Sequence, residues 1–330
     1  MSHGIEPSHS TVPQKADDRR KKKIKQKFTV SRLILLVLFA VFLFSGYYLL
    51  QTLVLEPAKV QKDHDEIRAV YYEKRQPDPT SSGFTQTLNL EQLKAINSDI
   101  VGWIHVPNTV IDYPVLQSSK EDPEFYLKRN YRKEYSNHGS IFLNAESNLN
   151  SGRNLILYGH SMNDGQMFAD LLQLTPETYQ NSPVIRFDTM DKASKWKVIS
   201  ILKTNTKAEH GKFFPFTRTE FTNDTDYLNF VYQLRIRSIV NTPVDFAPSD
   251  HIVTLSTCSY ELDDFRTVVV AREVRPGEDE TVETAKATVN RKAVYPDGWY
   301  QKYGGTKPDW PETLKEAQAK GLIDWLKTDA

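Results

Sequence analysis

From Leu33 to Leu55 the chain runs for 23 residues without a charged side chain, beginning LILLVLFAVFLFSGYYLL. At ~1.5 Å rise per residue a helix of that length spans roughly 34 Å, enough to cross a hydrocarbon core of ~30 Å. A helix buried in a soluble core would show a polar side, and Leu33–Phe44 has none. The sequence therefore predicts one membrane-spanning helix near the N-terminus. Ahead of it lies RRKKKIKQK, Arg19–Lys27, with Arg32 at the boundary, whereas Glu56, Pro57 and Lys59 on the far side form no basic cluster. Cytoplasmic flanks carry the excess of Lys and Arg, so residues 1–32 are expected inside and residues 56–330 outside. The apolar run is long for a signal-peptide core of ~7–15 residues, and no small-residue cleavage pattern follows it. It reads as a signal anchor.

Charge supports that division. The whole chain balances 42 basic against 42 acidic residues, but residues 1–55 hold nine Lys/Arg and three Asp/Glu, leaving 33 basic and 39 acidic beyond them. A mildly acidic body lacks the basic face of a general nucleic-acid binder, so no nucleic-acid partner is expected. The first 18 residues, rich in Ser, His, Pro and Asp, read as a disordered tail, and the basic run as a topology signal in contact with lipid headgroups. One cysteine among 330 residues excludes an intramolecular disulfide framework and any thiolate-cluster metal site. No His pair stands at ligand spacing, so no metal and no cofactor is expected.

After the apolar stretch, EIRAVYYEKRQ suits a helix, PDPTSSG at Pro77–Gly83 a loop, and LNLEQLKAINSD a second helix capped near Asn89. From Ile100 the texture changes to short β-branched runs separated by turns. These are Val101–Pro107, Val110–Gln117, His138–Asn144, Asn154–His160, Val184–Thr189, Trp196–Asn205, His251–Cys258 and Arg266–Val274. Eight such strands at short spacings predict a mainly β fold, a closed or nearly closed antiparallel barrel. Between the sixth and seventh, Asp224–Ser238 has the apolar spacing of an inserted amphipathic helix. Met167–Leu172 is helix-like, and so is Leu314–Lys327 near the C-terminus.

Cys258, the single thiol, ends a strand in Thr254-Leu255-Ser256-Thr257-Cys258. A thiol with a reference pKa near ~8.5 is the strongest side-chain nucleophile at neutral pH, although a lone cysteine is often an inert buried hydrophobe. His160 ends another strand beside Gly159, where imidazole could exchange protons with a thiol and a departing amine. Arg266 opens the strand after Cys258. A hairpin through Ser259–Phe265 would return it near the thiol, where its donors suit an oxyanion or a substrate carbonyl. The competing reading is a solvent-facing arginine paired with Glu261, Asp263 or Asp264. Asp112, Asp164 and Asp188 are open candidates to orient His160.

TLSTC at 254–258, LYGH at 157–160 and Arg266, taken with the anchor, resemble the sortase family of Gram-positive surface transpeptidases. Within it, VGWIHVPNTVIDYPVLQ (101–117), GSIFLN (139–144), YGHSMNDGQMFADL (158–171), TLSTCSYELDDFR (254–266) and the inserted helix are most similar to class B. The resemblance implies a closed eight-stranded sortase-type β-barrel over 100–275, behind a tail (1–32), a transmembrane anchor (33–55) and a helical stalk (56–99). A C-terminal extension, 276–330, has no role in the family pattern.

It further implies that Cys258 attacks the carbonyl in a C-terminal sorting signal of a secreted protein, forming a thioester. His160 would protonate the leaving amine and deprotonate the incoming one, and Arg266 would bind the substrate backbone and oxyanion, with Thr257 and Ser256 shaping that site. The acceptor would be an amine of a peptidoglycan precursor, or a pilin lysine in a polymerising enzyme. A cysteine hydrolase or a non-enzymatic surface binding protein are the alternatives.

Overall fold

The apolar N-terminal stretch is helical, through Ser45 and Gly46 as well as the long aliphatic and aromatic residues around them. In the computed structural model, which describes Met1, residues 14–73 and residues 89–327, α1 (Gln14–Leu50) passes through a single π-helical turn (Gln51–Leu55) into α2 (Glu56–Tyr71). Helix therefore begins at Gln14, inside the segment expected to be a disordered tail. Residues 2–13 and the loop expected at Pro77–Gly83 lie outside the described residues. The side chains of the apolar run are uncovered by the rest of the chain, and this is the one described helix long and apolar enough to cross a membrane. The chain divides into two compact units, Met1–Lys59 and Val60–Ala330.

The second unit is built on a closed barrel. Its eight strands are β1 (Ile100–His105), β2 (Asp112–Gln117), β3 (Ile141–Leu143), β4 (Asn154–Tyr158), β5 (Val184–Thr189), β6 (Lys195–Asn205), β8 (Ile252–Ser259) and β9 (Phe265–Glu273). Around the barrel they run β1-β2-β3-β4-β8-β9-β6-β5, and β5 closes on β1. All eight anticipated strands are present, but the barrel is not purely antiparallel. The β2–β3 and β4–β8 pairs are parallel. A parallel pair needs a long crossover, and the chain supplies one through residues 118–140 and another through everything between β4 and β8. A ninth and tenth strand, β7 (Val240–Asn241) and β10 (Thr288–Val289), form a separate two-stranded ribbon.

The barrel interior is filled by Ile104, Val115, Ile141, Leu157, Phe168, Phe187, Val198, Leu255 and Val269, all buried. Outside it, α4 (Asp224–Arg237) lays Tyr227, Phe230, Val231 and Leu234 on Ile199, Leu202, Val268 and Val270 of β6 and β9. Its start is fixed by Asn223, whose side chain accepts from the Asp226 N–H at 2.9 Å. α3 (Leu90–Ile96) packs Leu90 and Leu93 with Ile67, Tyr71 and Trp103. Asn89 stands at its N-cap position but makes no side-chain cap. Its Nδ2 instead donates to the Val70 and Glu73 carbonyls at 3.1 and 2.6 Å, closing the end of α2.

The C-terminal extension is integral to this unit. α5 (Asp297–Tyr303) and α6 (Leu314–Ala319) follow β10, and Val294, Leu314 and Ala317 pack on Tyr232 and Ile236 of α4. α6 stops well short of the helix expected to reach Lys327. The Leu322 N–H returns to the Ala317 carbonyl at 3.0 Å and Gly321 takes φ +61°, a left-handed stop that favours glycine. Beyond it, the Phe246 N–H donates to the Trp325 carbonyl and the Lys327 N–H to the Phe246 carbonyl, so the chain end is stitched to the barrel unit.

Candidate active site

Parallel pairing of β4 with β8 brings their C-terminal ends to the same rim of the barrel. Tyr158 is the register partner of Ser256, and the Gly159 N–H continues the ladder to the Ser256 carbonyl at 3.3 Å. Carried on by two residues, that register sets His160 beside Cys258. On the other side, antiparallel β9 begins at this rim, and Arg266 is the register partner of Cys258. His160, about a hundred residues earlier in the chain, is thus brought by three adjacent strands to the rim that carries the hairpin pair Cys258 and Arg266.

Cys258 is half-buried, neither sealed in the core nor fully exposed. Thr257 points the other way, is buried, and donates its hydroxyl to the Gly159 carbonyl at 2.8 Å. It ties the strand of the thiol to the strand of the imidazole. Ser256 is likewise buried. Gly159 has no room for a side chain, because a Cβ there would lie 2.4 Å from Ile141 Cδ1 and 2.8 Å from Phe168 Cδ2. After His160 the chain doubles back, with the Phe168 N–H donating to the His160 carbonyl at 2.8 Å.

His160 is oriented by backbone. Its Nε2 lies 2.8 Å from the Leu127 carbonyl, and because a carbonyl can only accept, Nε2 carries the proton. The neutral ring is then left with its lone pair on Nδ1. Burial lowers the pKa of this imidazole below the ordinary histidine value. The Leu127 bond opposes that shift, and the nearby positive charges of Lys128 and Arg266 add to it. None of the three candidate carboxylates orients His160. Asp164 is hydrogen-bonded to His138 at 2.6 Å, Asp112 binds Arg68 and Trp103, and Asp188 binds Tyr71 and Arg186.

Arg266 is half-buried, and among the described residues its guanidinium makes one hydrogen bond, from Nη1 to the Phe265 carbonyl at 3.0 Å. The carboxylates that could have neutralised it have other partners. Glu261 pairs with Lys203 at 2.6 Å, and Asp263 and Asp264 both pair with Lys207. Among the described residues most of the guanidinium fork has no partner, which leaves donors to bind an oxygen beside the thiol. Sequence reasoning missed the Leu127 carbonyl, which has no residue-type signal, and Tyr260. The exposed Tyr260 ring reaches from the Cys258 side to the His160 side, donating its hydroxyl to the Ser161 carbonyl at 2.9 Å. Among the described residues no group of three His, Cys, Asp or Glu side chains is placed to hold a metal ion.

A thiol, an imidazole and a guanidinium on one rim form a set able to attack a carbonyl, move a proton and stabilise an oxyanion. Comparison with known proteins agrees. Residues 104–274 match the Sortase domain family model. Sortase B of Staphylococcus aureus is 32% identical over 264 residues, covering 77% of this chain and 99% of that protein. Sortase B of Listeria monocytogenes is 32% identical over 248 residues, covering 73% and 94% respectively. A solved Staphylococcus aureus sortase B–substrate complex superposes with a TM-score of 0.56 at 32% identity, over 67% of this chain and 99% of that one. The chain belongs to the sortase family of cysteine transpeptidases, in its class B.

Proposed function

We propose that this chain is a membrane-anchored transpeptidase, with Cys258 as nucleophile, His160 as the proton-transfer group and Arg266 as the oxyanion and substrate-backbone donor. The observation that carries the reading is the meeting of the three on adjacent strands, with Cys258 and Arg266 in register. The Cys258 thiol passes its proton to His160 Nδ1 as its sulfur adds to a carbonyl of a C-terminal sorting signal, and the oxyanion is met by the Arg266 guanidinium. The C–N bond breaks as His160 gives a proton to the leaving amine, and a thioester remains on Cys258. An acceptor amine then attacks the thioester, its proton passes to His160 at Nδ1, and as the C–S bond breaks that proton goes on to the departing sulfur, restoring the thiol. Thr257 and Ser256 act from within the wall, Thr257 by holding the Cys258 and His160 strands together.

The acceptor is assigned to an amine of a cell-wall precursor. The N-terminal helix is the anchor, with the Arg19–Lys27 run cytoplasmic and the barrel outside. Tethering keeps the enzyme at the surface where secreted substrates and lipid-linked precursors arrive, which raises their effective concentration.

The test is incubation of the full chain in detergent micelles with a library of candidate sorting-signal peptides, with and without triglycine as acceptor. The expected result is an amine-linked conjugate that disappears in Cys258→Ala. Release of a free carboxylate alone, at every triglycine concentration, would assign the site to hydrolysis.

A further inference from the structure

The loop between Cys258 and Arg266 is held from several sides. On β6, Lys203 pairs with the Glu261 carboxylate at 2.6 Å, and just past the end of β6 the Thr206 hydroxyl donates to the Asp264 carbonyl at 2.8 Å. Tyr260 reaches across to the Ser161 carbonyl. Asp264 sits at φ +54°, a conformation uncommon for a non-glycine residue and one that external contacts must maintain.

Further support comes from the C-terminal extension. Lys302 Nζ and the Tyr303 hydroxyl, both on α5, donate to one acceptor, the Glu261 carbonyl, at 2.5 and 3.0 Å. A loop carbonyl at the surface is ordinarily satisfied by water, so two side chains converging on it, one of them charged, make a built contact. One turn earlier in α5, Trp299 stacks on Tyr295 with centroids 4.2 Å apart and faces Phe265 at 6.5 Å and 23°. Phe265 is fully buried, adjoins Arg266, and its carbonyl accepts the Arg266 hydrogen bond. α5 is itself fixed against the barrel unit. A Cβ on Gly298 would lie 3.0 Å from His210, and His210 packs edge-on to Phe265 with ring centroids 5.6 Å apart.

We propose that α5 is a positioning element of the active site, with Lys302 and Tyr303 holding the Tyr260–Asp264 loop and Trp299 holding Phe265, so that Arg266 stays beside Cys258. This rests on the reading of Cys258 and Arg266 as one site. The extension, which the family match to residues 104–274 does not include, thereby supports the site by positioning. None of the three α5 side chains touches substrate in this account; they act through the guanidinium.

Cys258 is the only thiol, so its alkylation reads the position of Arg266 without any substrate. A cation beside the sulfur speeds an anionic reagent relative to a neutral one, and moving it away by a few ångströms removes much of that preference at low salt. The experiment compares iodoacetate and iodoacetamide rates at Cys258 in the full chain, in wild type, Arg266→Gln and the charge-neutral double variant Trp299→Ala/Tyr303→Phe. We expect Arg266→Gln to lower the iodoacetate/iodoacetamide ratio and the double variant to lower it about threefold or more. The conservative Trp299→Phe should restore most of the ratio. General loosening would speed both reagents alike and leave the ratio intact, which would overturn the proposal. Tyr303→Phe alone removes one hydroxyl and guards against misfolding of the double variant; it should lower the ratio partway. If Arg266→Gln lowers the ratio while both α5 variants match wild type, α5 has no positioning role and the site reading stands. If Arg266→Gln itself matches wild type, the site reading fails, and the role of α5 with it.

Discussion

Cys258, His160 and Arg266 are each unremarkable by type, and their chemistry comes from what surrounds them. The TLSTC run made Cys258 legible, because its thiol ends a strand. Arg266 was legible as the next strand's opening residue. Its freedom was not, since it depends on Lys203 and Lys207 occupying Glu261, Asp263 and Asp264. Arg266→Lys keeps the charge but loses the planar fork, and should lower kcat by roughly 10²-fold, the scale of a lost oxyanion donor. Steady-state conjugate formation with triglycine measures this, and unchanged kcat would remove Arg266 from the transition state.

The His160 environment gives a second expectation. Burial holds its pKa below the ordinary value of ~6.5, so the folded ring stays neutral to lower pH than a free histidine. NMR titration of the ring in Cys258→Ala should show a midpoint below that value, and one above it would mean a carboxylate has become its partner in solution. The Leu127 carbonyl that orients it was invisible in sequence, because every residue carries a carbonyl and only the path of the chain decides which one arrives.

At the scale of elements, the strand runs were readable from β-branched residues, while the order of pairing was not. Short spacings suggested antiparallel neighbours, yet β4, which leads into His160, and β8, which carries Cys258 near its end, are parallel, which is why both residues stand on one rim. Gly159 permits that junction. Gly159→Ala drives a methyl into Ile141 and Phe168 and should cost about 1–3 kcal/mol of stability, with activity falling further because His160 is displaced. Thermal denaturation beside kcat separates the two effects.

A second junction ties the start of the extension to the barrel. Arg272, almost fully buried, donates to Glu278 at 2.7 Å through both terminal nitrogens, and Lys197 pairs with the same carboxylate at 2.6 Å. Burial alone would raise the pKa of the Glu278 carboxyl, but these bonds override it and hold the group far below the usual range. Its stabilisation is therefore complete above the unfolded value of ~4.3 and is lost as pH falls below it towards the folded pKa. Glu278→Gln leaves Arg272 buried with a weaker partner and should destabilise by about 2–4 kcal/mol at neutral pH, with the difference from wild type shrinking in acid. Urea denaturation at two pH values checks both the size and the sign. The shortened α6 belongs here too. Leu314–Lys327 reads as one helix, but Gly321 at φ +61° stops it, and the residues beyond return to the barrel unit through the backbone bonds of Trp325 and Lys327 to Phe246.

For the molecule as a whole, the charge division between the first 55 residues and the rest is matched by one uncovered apolar helix and a separate folded unit. If the anchor is oriented as proposed, a protease added outside intact protoplasts digests epitopes beyond residue 60 and spares one at the N-terminus; the reverse pattern would invert the topology. The extension was the least legible part. Its polar, aromatic and turn-rich stretches carry no periodicity, and its contacts with α4 and the Cys258–Arg266 loop arise only once the barrel exists to receive them.

The central claim, that Cys258 carries the substrate as a thioester between the two half-reactions, is tested most directly by intact-protein mass spectrometry during turnover of a peptide that the library identifies. The account predicts an adduct on Cys258 equal in mass to the peptide's N-terminal acyl fragment. Hydroxylamine should remove it, and triglycine should discharge it at the rate at which conjugate appears. Conjugate formed at full rate with no adduct on Cys258, or undiminished in Cys258→Ala, would contradict the account.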